Sequence, residues 1–324
     1  MKALKSTILS CALGICALVP AAAQDLESLN YPSNARSFAM GGTDMAMNAN
    51  GTTIMANPAA MALSYNTFSI QGNYAGIDPS SLRNYFSLAA YYSINDRFAV
   101  SLYGQGNLER KRAEFDIMGN PLGDFMPYSY TVGAGFAAEI IDGLAIGLNA
   151  KMIGAVRMSD TYMELNPGYK NAYAFAADLS LMYTIQGFRV SAGINNIGTK
   201  IKYSNSENYT GYDLPTAVRV GLGYGKQWGR HTLDAGLQAD YLIFASEYYG
   251  GVGAEYGFDD MLFIRGGYHY NGNSINCLPQ YASVGLGIKF IGISIDAAYM
   301  IPVGNSSSFN GYENSFMISL GWEF

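Results

Sequence analysis

From about residue 66 to the C-terminus the chain is built of alternating segments of roughly ten residues. In 144–152, Leu144, Ile146, Leu148 and Met152 stand on one side of the alternation and Gly147, Asn149 and Lys151 on the other. In 218–225, Val218, Val220, Leu222 and Tyr224 oppose Arg219, Gly221, Gly223 and Gly225. The same holds in 175–183, 284–290 and the closing stretch Phe316 to Phe324. Successive side chains of a β-strand point to opposite faces, so a period of two is a strand signal. A soluble sandwich also alternates, but its wet face carries more charge. Here the second face is mostly Gly, Ala, Ser and Asn, with about one charge per strand. Charged residues make up only 14% of the chain, against about 25% in an average soluble domain. Outside the N-terminus, no run approaches the roughly 20 apolar residues of a spanning helix. The combination predicts an all-β fold: a transmembrane antiparallel barrel whose strands show one face to lipid and the other to a polar lumen. A pI near 4.9 and no basic stretch beyond Arg110-Lys111-Arg112 argue against a nucleic-acid partner.

The alternation resolves into about fourteen strands, the first near 67–75 and the last near 313–324. Short turns at 95–96, 141–143, 186–187, 227–230, 259–260 and 292 trade places with longer links at 76–82, 108–127, 156–172, 196–214, 243–246, 271–280 and 302–312. Outer-membrane barrels have short periplasmic turns and long outer loops. An even strand count therefore predicts a bacterial outer-membrane location with both termini periplasmic. Trp228 and Trp322 fall near the turn ends, where amphipathic rings form interfacial girdles. The terminal aromatic Phe324 resembles the signal by which barrel-assembly machinery recognises its substrates.

Residues 1–23 read as a secretory signal peptide: Lys2 and Lys5, an apolar core from Ile8, and small residues at Ala21 to Ala23. Its removal takes away Cys11 and Cys16, leaving Cys277 and no intramolecular disulfide. It leaves 17 basic and 25 acidic residues, a net charge of −8. Residues 24–65 form a lead of small residues, and 66–324 form the barrel. A fourteen-stranded barrel encloses a lumen wide enough to need filling or to conduct. Gly41, Gly42 and Pro58 permit tight bends there, so the lead is expected as a plug or hatch, with a loose periplasmic tail as the alternative. The inward face is expected to carry Glu139, Asp178, Asp234, Asp240, Glu255, Asp296 and Glu323 against Lys151, Arg189, Arg219, Arg265 and Lys289. Buried unpaired charge is costly, so these residues should cross-pair and hold the plug. A selectivity ring is the other use of such a set.

The lead, SNARSFAMGGTDMAMNANGTTIMANPAAMAL from Ser33 to Leu63, resembles the N-terminal region of the FadL-like barrels. Asn57-Pro58-Ala59 matches their tail motif. Within the smaller PorV/PorQ branch, Asn34-Ala35-Arg36 before Gly41-Gly42 fits the expected order. So do Gly193-Ile194-Asn195-Asn196-Ile197-Gly198, Leu214-Pro215 with Arg219, Gly253-Ala254-Glu255-Tyr256, and Ile264-Arg265-Gly266-Gly267-Tyr268. The resemblance implies a fourteen-stranded barrel with an N-terminal plug. It also implies a non-enzymatic subunit of a type IX secretion-like export complex, with other outer-membrane or surface proteins as partners. The wider FadL resemblance implies instead passive transport of small hydrophobic molecules through a hatch and a lateral opening.

Chemistry has little support. His231 is expected at a turn and His269 at the opposite end, so no base meets a nucleophile. No Cys/His cluster suggests a metal, the oxygens of 116–124 lack calcium-loop spacing, and no cofactor is implied. Gly251 to Gly257 lacks the following helix of a dinucleotide loop. The bases at 110–112 suit a solvated loop or lipopolysaccharide phosphates. Tyrosine- and asparagine-rich loops at 203–213, 268–281 and 305–314 suit contact surfaces.

Overall fold

A computed structural model of the chain describes residues 26–77, 83–206, 209–272, 278–303 and 312–324. The signal peptide and Cys277 lie outside the described residues, as do parts of the loops at 203–213, 268–281 and 305–314. Fourteen strands pair into a closed barrel. They are β1 (Phe68–Gly76), β2 (Asn84–Ser93), β3 (Phe98–Leu108), β6 (Tyr128–Ile141), β7 (Leu144–Val156), β8 (Ala172–Ile185), β9 (Phe188–Gly198), β10 (Ala217–Trp228), β11 (His231–Leu242), β12 (Glu247–Phe258), β13 (Leu262–Tyr270), β14 (Tyr281–Phe290), β15 (Ile293–Pro302) and β16 (Phe316–Glu323). β1 closes on β16 in antiparallel register, Ser69 opposite Glu323 and Gly76 opposite Phe316. Closure removes the sheet edges, which is what lets strands cross a membrane without unpaired backbone groups.

The alternation maps onto the wall. Leu148, Leu179, Val220, Leu222, Leu286 and Leu320 point outward and are exposed. Their neighbours Asn149, Asp178, Ser180, Arg219 and Ser319 point inward and are buried. The exposed belt is apolar all round, the reverse of a soluble protein and the pattern of a wall solvated by lipid. Phe68, Trp322 and Phe324 cluster at the turn end, with ring centroids 5.2–5.9 Å apart.

Two links hold structure that the alternation did not announce. Residues 108–127 contain a hairpin of β4 (Arg112–Phe115) and β5 (Pro121–Phe125), paired only with each other. Its tip is closed by Asp116, whose carboxylate accepts from the Met118 and Asn120 amides at 2.8 Å. The link 156–172 contains a short helix, α2 (Asp160–Leu165), capped by Ser159, whose hydroxyl accepts from the Tyr162 amide. Four to six residues are too few for either periodicity to stand out.

The lead enters the cylinder. Leu26 packs with Ile153, Ala155, Ala172 and Ala174, all at the long-loop end of β7 and β8. Forty residues on, the backbone of Phe68 exchanges two hydrogen bonds of 3.1 Å with Phe324 at the short-turn end. Between them the lead bonds to inward side chains of strands right around the barrel, which is possible only from inside. The barrel's first and last strand ends do share the turn end, as strand parity requires. The described chain, however, starts at the loop end and reaches the turn end by threading the lumen.

Candidate functional site: the filled lumen

The lead is mostly coil because its composition offers neither period. A single turn of helix, α1 (Ala35–Ala39), starts at Asn34, whose side chain accepts from the Ser37 amide. Met40-Gly41-Gly42 then reverses direction, with φ of +73° and +84° at the glycines. Asn57 opens a 3₁₀ turn over Pro58–Leu63, its side chain accepting from the Ala59 amide while Pro58 takes the first helical position. The motif Asn57-Pro58-Ala59 is thus a capped helix start.

Small residues are needed on both sides of the lead–wall contact. A Cβ on Gly267 would collide with the Gly41 amide, one on Gly251 with the Gly41 carbonyl, and one on Gly253 with Met40. Gly147 meets Pro58 and Ala59 in the same way, and Gly221 and Gly223 meet Met45 and Ala46. The wall is hollowed by glycine where the lead's backbone touches it.

Inward side chains then satisfy the lead's backbone, which lacks ladder partners of its own. Ser319 Oγ accepts from the Ala35 amide at 2.8 Å, and Ser283 Oγ donates to the Ala39 carbonyl at 2.9 Å. Gln238 Oε1 accepts from the Asp44 and Met45 amides at 2.7 and 2.9 Å. Arg189 Nε donates to the Ala46 carbonyl at 2.7 Å, Asn149 to Ile54 at 3.0 Å and Asn195 to Ala56 at 3.0 Å. Ser180 Oγ accepts from Ala59 at 3.0 Å.

The charges sort into pairs. Lys151 sits 2.7 Å from Asp178, Arg189 2.7 Å from Asp234, and Arg219 3.0 Å from Asp240. Arg265 bridges Glu255 and Asp296, and Lys289 pairs with Glu323. One residue of the lead joins in: Arg36 donates to both oxygens of Glu255 at 2.9 Å and lies 3.7 Å from Asp234. Asp178 also accepts from the Asn196 amide at 2.7 Å. Asn196 has φ of +62° at the irregularity where β9 gains a residue over β8. Glu139 does not belong with these residues. It lies at a register shift near the turn end of β6, and its carboxylate accepts from the Gly143 amide at 2.7 Å, closing the β6–β7 turn. The shift comes after Glu139, which still stands opposite the buried Ala145, so its face follows the alternation while its carboxylate is spent on the turn.

Three lead residues were not singled out as charge partners from sequence: Glu27, Arg36 and Asp44. They are the only Asp, Glu, Lys or Arg residues between 26 and 66, and that scarcity was the available signal. Glu27 is buried at the loop end, where Tyr312 OH donates to its oxygens at 2.9 and 3.0 Å and Arg83 stands 3.8 Å away. Burial pushes its carboxyl up to about 7, against the opposing pull of Arg83 and the Tyr312 hydroxyl. Asp44 accepts from the amide and hydroxyl of Ser33.

Two hollows flank the wall at β3. Inside, a small space of about 20 Å³ lies between Leu29, Tyr31 and Ser33 on one side and Met55 and Ala56 on the other, bordered by Tyr103, Gln105 and other inward residues. Outside, a concavity of about 1080 Å³ spans β16, β1, β2 and β3, with Gly72, Gly104 and Gly106 along it and Gln105 again at its border. The wall between them is continuous: Gly104, Gln105 and Gly106 pair with Val132, Thr131 and Tyr130. The lateral opening implied by the FadL resemblance is therefore closed here.

His231 lies at the turn end against Tyr256, and His269 is buried in the lumen with Nδ1 3.1 Å from the Gly41 carbonyl. They are not brought together. No cluster of metal-ligating side chains occurs among the described residues.

No protein-family model and no curated protein matches the sequence. Solved structures do match in shape. The toluene transporter TodX of P. putida superposes with a TM-score of 0.63 at 12% identity, covering 93% of this chain and 99% of that one. The toluene transporter TbuX of Ralstonia pickettii gives 0.58 at 13% identity, over 90% and 98%. A Pseudomonas aeruginosa FadL homologue gives 0.54 at 12% identity, over 90% and 98%. The chain has the closed fourteen-strand fold of these outer-membrane barrels.

Proposed function

We propose that this protein is a passive outer-membrane channel for small, mainly apolar molecules, with release sideways through the wall. The observation that carries this reading is the back-to-back placement of the two hollows. The inner space and the outer concavity are separated at β3 only by the strand Gly104-Gln105-Gly106, whose glycines put no side chain on the lipid face. A molecule entering from the loop end would reach the inner space beneath the lead's first turn. It would leave through β3 into an apolar trough. TodX and TbuX, which share the fold, are described as toluene transporters. The export-complex reading implied by the PorV/PorQ resemblance has no counterpart among these matches and takes second place. The outer membrane as location, with the long loops outside, belongs to the same proposal.

The test is uptake of a labelled aromatic by cells with an intact lipopolysaccharide leaflet, expressing the barrel in place of any channel of their own. Saturable uptake above the empty-vector control is expected. Replacing Gly104 and Gly106 by valine should lower it while the barrel still assembles. Uptake equal to the control, with stoichiometric protein partners after gentle extraction, would favour the export reading instead.

A further inference from the structure

The inner space lies across the path a transported molecule must take, so its lining selects the cargo. It is bordered from β2 and β3 on one side to β9 and β10 on the other, with the lead's residues 29–33 as roof and 55–56 as floor. Roof and floor are apolar at Leu29, Met55 and Ala56. The sides are polar, and three of their atoms are unsatisfied: the Tyr103 hydroxyl, Asn195 Oδ1 and Arg219 Nε are buried without a hydrogen-bond partner among the described residues. Asn195 spends its amide nitrogen on the Ala56 carbonyl, which holds the oxygen in place. Buried polar atoms left unpaired are costly, and a site that keeps them is built to receive something that pairs with them.

The two bases at the border add no net charge. Lys151 is neutralised by Asp178 and Arg219 by Asp240, and Arg219 also donates to Tyr249 at 3.1 Å. The space thus offers one fixed acceptor in Asn195 Oδ1, one hydroxyl in Tyr103, one guanidinium N–H in Arg219 and apolar surfaces. From this we infer that it is a binding site for a small uncharged molecule carrying a hydroxyl on an apolar body, a phenol in chemical class. One such hydroxyl donates to Asn195 Oδ1 and accepts from the Tyr103 OH. A hydrocarbon of the same shape leaves both atoms unpaired. A carboxylate brings a charge with no free partner.

At about 20 Å³ the space holds roughly one water, so binding requires the roof to lift. The wall glycines that wedge the lead meet Ala39 to Ala46 and Pro58-Ala59, and Ser33 is tied to Asp44 and Asn73, leaving 29–32 as the stretch to move. The inference rests on the channel reading above and specifies its cargo.

The test uses three probes of matched shape, p-cresol, toluene and p-toluate, titrated calorimetrically into the full barrel in lipid nanodiscs. p-Cresol is expected to bind roughly tenfold or more tightly than either other probe. Tyr103→Phe should weaken p-cresol binding severalfold, Asn195 Oδ1 remaining as acceptor, and leave toluene unchanged. The ranking on the unsubstituted chain stands even where the variant fails to assemble. Toluene binding as tightly as p-cresol, p-toluate binding most tightly, or a p-cresol preference left undiminished by Tyr103→Phe would each overturn the inference. In those cases saturable aromatic uptake by cells leaves the channel reading intact. No binding by any probe together with no uptake overturns both.

Discussion

A carboxyl group taken out of water must recover its hydration from neighbours or give up its charge, and Glu27 does part of each. Tyr312 and Arg83 face it, with Tyr31 and Glu109 nearby, yet burial outweighs them and holds its proton on up to about pH 7. Because this value is raised above the ordinary 4.5, the folded state binds the proton more tightly than the unfolded chain does. Stability from this group is therefore full below about pH 4.5 and is lost as pH climbs through about 7. Denaturant unfolding of the wild type against Glu27→Gln should show the wild type losing ground over that window and levelling off above it. Parallel curves would contradict the assignment. Arg36 poses the opposite case, a base shared by two buried acids. Arg36→Ala leaves Glu255 and Asp234 short of a partner and should cost about 3–5 kcal/mol, read as a lower unfolding midpoint in lipid. Lys at this position would keep the charge but lose the two-pronged contact with Glu255.

At the level of elements, the strands were legible because each carries ten or so residues of one unbroken period with lipid enforcing the pattern. The strand from His231 to Leu242 begins and ends where the alternation does. What the period could not reveal falls into three physical classes. Short local structure such as α2 is fixed by a cap and not by a face. A bulge such as the one at Asn196 shifts parity by one residue. The course of the lead depends on contacts far apart in sequence: Arg36 with Glu255 and Gly41 with Gly267 are fixed by close approach and charge, neither of which is periodic. The inward pairs of Lys151, Asp178, Arg189, Arg219 and Arg265 followed from strand parity, but which acid meets which base did not. The glycine cradle supplies the element-scale prediction. Gly267→Ala places a methyl group against the Gly41 amide, an atom of backbone that cannot rotate aside. The barrel should still close, since the ladder is untouched, while residues around Met40 become open to protease digestion. Unchanged protection would mean that the lead is not held there.

On the scale of the whole molecule, the closed cylinder and its threaded N-terminal segment form one packed body. The lumen of a fourteen-stranded barrel would conduct ions if it were empty, and here small residues, paired charges and backbone hydrogen bonds occupy it. This explains how a wall of glycine and serine can be buried without a core of its own: the lead is that core. On the proposed channel reading, passage of cargo would depend on local movement of 29–32 and on parting the strands at Gly104 and Gly106, not on a standing pore. Single-channel recording in planar bilayers tests this most directly. The intact barrel should show no steady ion conductance, and a chain lacking residues 26–63 should open a large, stable one. Steady conductance through the intact barrel, equal to that of the shortened chain, would contradict the account.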